Sequence, residues 1–334
     1  SPRALAYDAA NQRLFVSLGD HRVMAYDLSD GITNGENAVD VLGQYDGTSL
    51  IAPVPVYTKG GANDGPNRLG FSGPFDVLIA TSTQKMFVTD ATNNRVLIYN
   101  LDVNGNLVDR IPDNVLGQPN FVSSTAATTQ AGMSSPYRLV YDLINQRLFV
   151  SQSSNRVTVY DLSDGITNGE NAINVLGQTT FTGSTAATTQ AGMSGPVGLV
   201  YDSTNQRLFV TQTGNNRVTV YDLSDGITNG ENAINVLGQT TFTSSTAAVT
   251  QAGMYYPIGL TYDSANQRLF VSQRDGNRVT VYDLSDGITN GENAINVLGQ
   301  TTFTSSTAAT TQAGMNLPYG LGHYLINQRL FVSQ

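Results

Sequence analysis

Apolar and polar residues alternate along the chain in short runs that are separated by turn-forming residues. Between residues 195 and 239 the runs are GPVGLVYD, QRLFVTQ, NRVTVYDL and NAINVLGQ. They are rich in Val, Leu, Phe, Tyr and Thr and are bounded by Asn, Asp, Gly and Ser, which is the signature of β-strands. No stretch has a convincing helical period. The pattern therefore predicts an all-β chain.

One unit of this pattern occurs six times. Its NQRLFV element, TQKMFV in the second copy, begins at residues 11, 83, 145, 205, 266 and 327. Each complete unit provides four short strands, and the connecting segments supply residues that tolerate positive φ. A four-stranded meander repeated radially is a propeller blade. We therefore predict an all-β, six-bladed β-propeller of four-stranded antiparallel blades, with a β-solenoid as the alternative.

The predicted blades form one domain over residues 1–334. Their approximate ranges are 1–44, 71–118, 133–178, 193–239, 254–300 and 315–334. The sixth blade is incomplete in this chain, because the sixth unit ends after its second strand. Residues 45–70 form an insertion without a counterpart in the other units. A long unique loop often carries function, although it can also simply fill space against a neighbour.

Three motifs between residues 196 and 221 carry a resemblance: Pro-x-Gly-Leu-x-Tyr-Asp, Asn-x-Arg-Leu-Phe-Val and Asn-Arg-Val-x-Val-Tyr. They resemble the NHL repeat, whose family fold is a β-propeller, commonly six-bladed. The segment NGENAINVLGQTTFT resembles the linker of bacterial secreted NHL-type proteins. The resemblance covers nearly the whole chain and implies a propeller, a fold that hosts enzymes, binders and scaffolds alike.

Charge and composition limit the partners. The formal net charge is -9 at pH 7, so no nucleic-acid partner is expected, because that binding needs clustered Lys and Arg. No apolar run approaches the roughly 18 to 20 residues that cross a bilayer, so no membrane span is expected. The chain begins at Ser1 without a charged-then-apolar leader. We expect a mature chain that is secreted or lies on the cell surface.

Residues at the start of the first strands differ between units. The prolines that open these strands are followed by varied side chains, and in propellers this part of the first strand lies beside the central channel. A channel mouth built from these positions is the best small-ligand candidate in the sequence. A rim without a ligand is the alternative. The candidate residues are Arg3, Asp76, Tyr137, Arg138 and Tyr319.

The loop LSDGITNGEN occurs four times, and its copies contain all four glutamates of the chain. In the first copy Asp30, Asn34 and Glu36 are candidate calcium ligands, because calcium prefers carboxylate and carbonyl oxygens. The spacing does not fit an EF-hand, and the alternative is a solvated connection with a tight turn at TNG. No cofactor is otherwise expected.

Opposite charges recur at fixed places in adjacent strands. Arginines open the third strand and aspartates close the first, which predicts a repeated hydrogen-bonded pair with a structural role. The arginines are Arg22, Arg95, Arg156, Arg217 and Arg278, and the aspartates are Asp8, Asp142, Asp202 and Asp263.

The sequence contains no positive signal for catalysis. It has no nucleophile elbow, phosphate loop or Cys/His dyad, and its only histidines are His21, which replaces a turn Asn, and His323. Units three to five are nearly identical, whereas a catalytic site needs different groups in different roles. Lactonase-like propellers use a glutamate from an early inner strand, and here every glutamate lies in an outer loop.

The last NQRLFVSQ, at residues 327–334, leaves a strand edge that could pair with another strand. Candidate subunit contacts are Phe331, Val332, Ser333 and Gln334. A sequence tail beyond this chain is the alternative explanation. The expected partner is the chain itself, as an oligomer or filament, or another extracellular protein or glycan. We predict a non-catalytic structural or adhesive scaffold, with a metal-dependent lactonase-like or lyase-like hydrolase, built on Asp76 and Asn side chains in the channel, as the alternative.

Overall fold

The computed structural model describes residues 2–46, 53–58, 60, 66–324 and 329–334. These residues form 24 β-strands and three short 3₁₀ helices, and they contain no α-helix. The all-β prediction is therefore confirmed. Within the described ranges, no helix is long and apolar enough to cross a membrane.

The chain divides into two compact units. Unit 1 comprises Ser1–Val150 and Tyr160–Ile173, and unit 2 comprises Ser151–Val159 and Asn174–Gln334. Each unit contains four-stranded antiparallel sheets that follow one another along the chain as blades. The prediction of a single domain stays a prediction.

The first sheet is a meander of β1 (Pro2–Asp8), β2 (Arg13–Leu18), β3 (Arg22–Asp27) and β4 (Asp40–Leu42). A short hairpin follows, made of β5 (Tyr45–Asp46) and β6 (Val54–Pro55). The second sheet contains β7 (Pro74–Ala80), β8 (Lys85–Asp90), β9 (Arg95–Asn100) and β10 (Asn114–Leu116). Its two tight turns are the 3₁₀ helices Thr81–Thr83 and Ala91–Asn93.

The third sheet contains β11 (Pro136–Asp142), β12 (Arg147–Gln152), β13 (Arg156–Asp161) and β14 (Asn174–Leu176). The fourth contains β15 (Pro196–Asp202), β16 (Arg207–Gln212), β17 (Arg217–Asp222) and β18 (Asn235–Leu237), with the 3₁₀ helix Thr213–Asn215. The fifth contains β19 (Pro257–Asp263), β20 (Arg268–Gln273), β21 (Arg278–Asp283) and β22 (Asn296–Leu298). The last sheet pairs β23 (Leu321–Tyr324) with β24 (Arg329–Val332).

Four-stranded antiparallel blades in a β-propeller arrangement are thus confirmed, but the count of six is wrong. The described residues form five complete blades. The two-stranded sheet β23–β24 corresponds to the first half of the predicted sixth blade, and we refer to it as the half-blade. It has two strands because the chain contains two strand segments of this unit.

The turns have the backbone geometry that their residues allow. The turn between the second and third strands has a left-handed residue that is usually Asn, such as Asn216 with φ 49°, and Asn adopts this region more readily than most residues. His21 takes this position in blade 1 with φ 64°. Its Nδ1 accepts the Gly73 N–H at 2.9 Å, as Asn94 Oδ1 accepts the Ser135 N–H at 2.8 Å. The prediction that His21 replaces a turn Asn is confirmed.

The apolar face of each strand forms the core of its own unit. In unit 1 the cluster includes Phe15, Val88 and Leu97, and in unit 2 it includes Phe209 and Val271. These residues come from the period-2 apolar positions of the strands, because alternate side chains of a strand point to the same face. Burial of such side chains is the main favourable contribution to folding.

Candidate functional site

Three of the five residues predicted for a channel mouth meet in unit 1. Asp76 lies on β7 of blade 2 and Arg138 on β11 of blade 3, and Arg138 Nη1 is 3.0 Å from Asp76 Oδ1. Arg138 Nη2 donates to the backbone carbonyl of Arg3, on β1, over 3.2 Å. One guanidinium therefore joins the first strands of three successive blades.

Asp76 is buried, and both of its carboxylate oxygens have protein partners. Oδ1 accepts from Arg138, and Oδ2 accepts the Leu139 backbone N–H at 2.8 Å. Burial raises the pKa of Asp76, while the nearby Arg138 guanidinium opposes this change. The carboxylate is thus bonded within the protein rather than presented to a ligand.

The Phe75 ring packs beside the guanidinium of this ion pair. The guanidinium carbons of Arg3 and Arg138 lie 5.7 and 5.4 Å from the centre of the Phe75 ring, within the range of cation–π attraction. The Tyr137 ring packs against Phe75, with centroids 5.1 Å apart. Tyr137, the fourth predicted residue, therefore belongs to the same cluster.

Tyr319, the fifth predicted residue, lies in unit 2 at the start of the half-blade. Its backbone N–H donates to the Ser333 carbonyl at 2.8 Å, and its carbonyl accepts the Ser272 hydroxyl at 2.8 Å. Both of these contacts are structural, because each uses the backbone of Tyr319.

A hydroxyl group on the second strand links successive blades, and sequence reasoning missed it. In unit 2, Thr211 Oγ1 accepts the Gly198 N–H at 2.6 Å and donates to the Ile258 carbonyl of the next blade at 3.1 Å. A bulge after Pro196 shifts the register there and frees the Gly198 N–H from the ladder. The Ser or Thr that follows every NQRLFV element is the sequence signal for this link. The equivalent pairs are Ser17 with Phe75, Thr89 with Tyr137, Ser151 with Val197, and Ser272 with Tyr319.

Close approach of the neighbouring backbone accounts for glycine at the positions of Asp76 and Arg138 in blades 4 and 5. A Cβ atom at Gly198 would lie 2.4 Å from the Ile258 carbonyl oxygen, and one at Gly259 would lie 2.3 Å from the Tyr319 carbonyl oxygen. The first strands of neighbouring blades approach too closely there for a side chain. The variable position is therefore a packing position in blades 4 and 5.

The candidate calcium loop is bonded within itself. Glu36 Oε2 accepts the backbone N–H of Thr33 at 3.2 Å and its hydroxyl at 2.7 Å. These hydrogen bonds hold the pKa of Glu36 below its usual value. Among the described residues, no group of three or more His, Cys, Asp or Glu side chains could hold a metal ion. The calcium role of Asp30, Asn34 and Glu36 stays a prediction.

Later copies of this loop bind the preceding blade. In unit 1, Asn168 Oδ1 accepts the Val115 N–H at 3.0 Å, and the Gly169 N–H donates to the Val115 carbonyl at 2.9 Å. Asn114 Nδ2 also donates to the Ile166 carbonyl at 2.9 Å. The loop therefore covers the outer strand of the neighbouring blade, which is a structural role for the equivalents of Asn34.

The arginines that open the third strands do not pair as predicted. In unit 2, Arg217 is fully buried, and its Nη2 donates to the carbonyls of Thr189 and Gly192 at 2.9 and 3.0 Å. Its other partners are Gln212 and the Phe242 carbonyl. Burial lowers the pKa of Arg217. Because its partners are an amide and carbonyls, this side chain anchors the long polar loops rather than a carboxylate.

The aspartates that close the first strands bond within their own turns, which is why the predicted pair is wrong. Asp202 Oδ1 accepts the Thr204 N–H at 3.1 Å, and Oδ2 accepts the Asn205 side-chain N–H at 2.7 Å. In blade 2 a carboxylate does meet the arginine, since Arg95 Nε lies 2.8 Å from Asp90 Oδ2. That aspartate closes the second strand instead of the first.

Part of the insertion, residues 45–70, has a counterpart in the other blades. The Arg95 Nη2 group donates to the carbonyls of Asn67 and Gly70 at 2.9 and 2.8 Å, as Arg217 does to Thr189 and Gly192. Residues 67–70 are therefore equivalent to the end of the recurrent polar loop. Residues 47–52, 59 and 61–65 of the insertion lie outside the described residues.

The predicted subunit contacts lie on and beside β24. Phe331 is exposed, and β24 pairs with β23 so that Leu321 faces Val332. Ser333 Oγ accepts the Gly320 N–H at 2.7 Å, and Gln334 Oε1 accepts the Asn316 N–H at 2.9 Å. Residues 327 and 328 of the same motif lie outside the described residues.

Comparisons with known proteins identify the fold. The sequence matches no protein-family model, and no curated protein matches it. The structure is similar to the crystal structure of a candidate 6-phosphogluconolactonase from Bacteroides fragilis NCTC 9343, with a TM-score of 0.57 and 12% identity over 99% of this chain and 76% of that one. Solved chains that match number 1370, so the similarity is to a widespread fold. At this identity it shows the fold alone.

Proposed function

We propose that the chain is a non-catalytic repeat scaffold of the NHL type that acts in structure or adhesion outside the cell. The observation that supports this is the bonding of the predicted channel-mouth residues to one another. Asp76 uses both oxygens on Arg138 and the Leu139 N–H, and the guanidinium reaches on to the Arg3 carbonyl. Groups engaged in this way stabilise the packing of blades.

Repetition of the surface supports a role in multivalent contact. The polar loop TTFTGSTAATTQAGM at 179–193 recurs almost unchanged as TTFTSSTAATTQAGM at 301–315. A buried arginine holds the loops in a fixed conformation, as Arg217 does for residues 189–192 and 242. A partner with repeated binding groups gains avidity from identical sites, so we propose another extracellular protein or a glycan as the partner.

A second candidate is a hydrolase that opens lactone rings, which the similarity to the Bacteroides protein favours. The hydrolase alternative requires a metal ion in the channel, and the residues at the channel mouth do not fit a metal ion. Asp76 Oδ1 lies 3.0 Å from a guanidinium nitrogen and Oδ2 lies 2.8 Å from a backbone nitrogen. A metal ligand would have to give up these bonds in a buried site.

Turnover assays separate the two candidates. Purified chain is mixed with a panel of γ- and δ-lactones in the presence of Ca²⁺, Mg²⁺ or Mn²⁺, and ring opening is followed by proton release. The scaffold proposal expects the rate of the protein-free buffer. Saturable turnover that Asp76→Asn abolishes would overturn it, provided that the variant keeps its circular dichroism spectrum. Asp164→Asn, at an exposed carboxylate, is the matched control.

A further inference from the structure

Blades 4 and 5 of unit 2 have nearly the same sequence, but they differ in two short stretches. One stretch precedes the first strand, and the other is the turn between the second and third strands. In both, small residues of blade 4 give way to large or charged residues in blade 5. The replacements are Ser194 by Tyr255, Gly195 by Tyr256, Thr213 by Arg274 and Gly214 by Asp275.

The structure brings the two stretches of blade 5 together. The Arg274 backbone N–H donates to the Tyr256 carbonyl at 3.0 Å. The Arg274 guanidinium carbon lies 5.3 Å from the centre of the Tyr256 ring, within the range of cation–π attraction. We refer to Tyr255, Tyr256, Arg274 and Asp275 as the blade 5 cluster.

The charged groups of the blade 5 cluster are only loosely paired. Arg274 Nη1 lies 3.5 Å from Asp275 Oδ1, whereas a hydrogen bond between such groups is about 2.8 Å long. A guanidinium has five N–H donors, and a carboxylate accepts hydrogen bonds at two oxygens. The cluster therefore places strong donors and strong acceptors beside an aromatic ring.

Solvent reaches the cluster. Tyr255 is 38% exposed, and the side chains of Arg274 and Asp275 are 38% and 30% exposed. This access does not depend on the half-blade being short. Gly214 holds the position of Asp275 in blade 4, which a complete blade follows, and it is exposed as well.

The backbone of the cluster is held from both sides. The Tyr255 N–H donates to Oε1 of the buried Gln273 at 3.0 Å, and the Tyr256 N–H donates to Asn216 Oδ1 of blade 4 at 2.9 Å. Tyr256 has φ 52°, in the region where Gly195 has φ 59° and where a bulky residue is rare. A cluster fixed in this way needs little ordering when a ligand binds.

The chemistry of the cluster suits a neutral sugar. Arg274 and Asp275 have opposite charges, so the pair gives no net attraction to a strongly charged ligand. A pyranose presents C–H groups on its faces, which pack on an aromatic ring, and hydroxyls that both donate and accept. Apolar and aromatic surface combined with a few placed polar groups is typical of small-ligand sites.

We propose that the blade 5 cluster binds a neutral hexose unit of a glycan. The Tyr255 ring packs on one face of the sugar, Arg274 donates to its hydroxyls and Asp275 accepts from them. Blade 4 lacks all four side chains, so the site belongs to blade 5 and not to the repeated surface.

This inference rests on the proposed scaffold function and names the class of its glycan partner. The two fail in different experiments, because lactone turnover would overturn the function, whereas sugar binding tests the site. A chain that neither opens lactones nor binds the sugars would reject the site and keep the scaffold.

Saturation-transfer difference NMR of the full chain tests the site. The probes are separate neutral oligosaccharides of glucose, mannose and galactose, with oligogalacturonate as the charged comparison. We expect saturation of the ring C–H protons of at least one neutral probe. Binding of none of the neutral probes would overturn the proposal, and so would tighter binding of oligogalacturonate than of any neutral probe.

Residue exchange between the two blades places the binding at the cluster. A chain that carries the blade 4 residues in blade 5 should fold, because blade 4 tolerates them, and should lose binding. Single truncations in blade 5 should weaken binding about tenfold, as expected for an aromatic or arginine anchor, and the matched truncations in blade 4 should not. The exchange variant is Tyr255→Ser, Tyr256→Gly, Arg274→Thr and Asp275→Gly, the truncations are Tyr255→Ala and Arg274→Ala, and the controls are Ser194→Ala and Thr213→Ala.

The reverse exchange provides a test that does not depend on a loss of binding. Blade 4 is given the residues of the blade 5 cluster, and calorimetric titration counts the sugars bound by each chain. We expect the number of bound sugars to double. Undiminished binding by the exchange variant, or equal losses in the truncations and their controls, would show that the sugar binds elsewhere and would overturn the proposal.

Discussion

The Asp76 carboxylate and the Arg138 guanidinium lie 3.0 Å apart although 62 residues separate them in the chain. Each residue is the third of the first strand of its blade, Asp76 on β7 and Arg138 on β11. Blades 4 and 5 have glycine at the same place, where the neighbouring backbone leaves no room for a side chain. The pair is thus a local variation of the blade–blade contact.

Breaking this pair should destabilise the protein because it leaves one charge buried without its partner. Asp76→Ala or Arg138→Ala should each lower the free energy of unfolding by about 3 kcal/mol. The double variant should lose less than the sum of the two, with a coupling of about 1 to 3 kcal/mol. Urea unfolding of the four proteins measures this cycle. Losses that add without coupling would show that the two side chains act independently.

The loop asparagine should contribute to stability only in the copies where it hydrogen-bonds to the preceding blade. Asn229 Oδ1 accepts the Val175 N–H at 3.0 Å, so Asn229→Ala should cost about 1 to 2 kcal/mol by leaving that donor unsatisfied. Asn34 is the same residue of the same loop in blade 1 and is exposed. Asn34→Ala should therefore change stability by less than about 0.5 kcal/mol. Thermal and urea unfolding compare the two, and equal losses would contradict the structural role.

Glycine at position 198 should be required by the approach of two strands. A Cβ there would lie 2.4 Å from the Ile258 carbonyl oxygen, so Gly198→Ala should cost about 1 to 3 kcal/mol through forced backbone shifts. Gly322 is a matched control on another first strand, because nothing lies within 4 Å of a Cβ at that position. The denaturation midpoint should fall for Gly198→Ala and stay unchanged for Gly322→Ala. A tolerated alanine at 198 would mean that the strands can separate at no cost.

Acid should weaken the turns that follow the third strands. Hydrogen bonds from Ser224 hold the pKa of Asp222 below its usual value, and equivalent serines do the same for Asp27, Asp161 and Asp283. A carboxyl group whose pKa is lower in the folded state binds fewer protons there. It therefore adds stability at pH above its unfolded pKa of about 3.9 and loses that stability as the pH falls through the folded pKa.

Asp222→Asn tests this pH dependence. The amide oxygen still accepts the Ser224 N–H, but the group no longer titrates. The variant should be less stable than the unchanged chain at pH 7 and equal to it near pH 2, as measured by urea unfolding across that range. Ser224→Ala should show a smaller difference of the same shape, because the backbone N–H remains. A difference that is constant with pH would exclude the carboxylate as its origin.

Local chemistry alone was enough to predict the strands and turns. Segments such as NRVTVYDL alternate in the period of a half-buried strand, and Asn216 marks a turn with positive φ. His21 could be identified as a turn residue for the same reason, since it stands where other copies have Asn. The repeat also indicated four-stranded antiparallel blades, because each complete unit contains four such segments in order.

Pairing across blades could not be read from the sequence. The sequence predicts that Arg217 meets an aspartate, but Asp202 accepts hydrogen bonds from Thr204 and Asn205 in its own turn. Such local hydrogen bonds form at a smaller entropic cost than distant ones. The insertion at residues 45–70 looked unique because its end lacks the TTQAGM letters, yet the Asn67 and Gly70 carbonyls bind Arg95 as the recurrent loop does. Every residue has a backbone carbonyl, so a contact made through carbonyls cannot be recognised from residue types.

The sequence by itself determined the strand pattern, the turn positions and the repeat, because these depend on neighbouring residues and on the alternation of side chains along a strand. Only the tertiary structure decided which side chains meet. Asp76 meets Arg138 since a bulged first strand packs against its neighbour, and Phe209 is buried because it stacks on Tyr262 of the next blade. Residues at equivalent positions of the repeat therefore have different roles, because different residues pack against them.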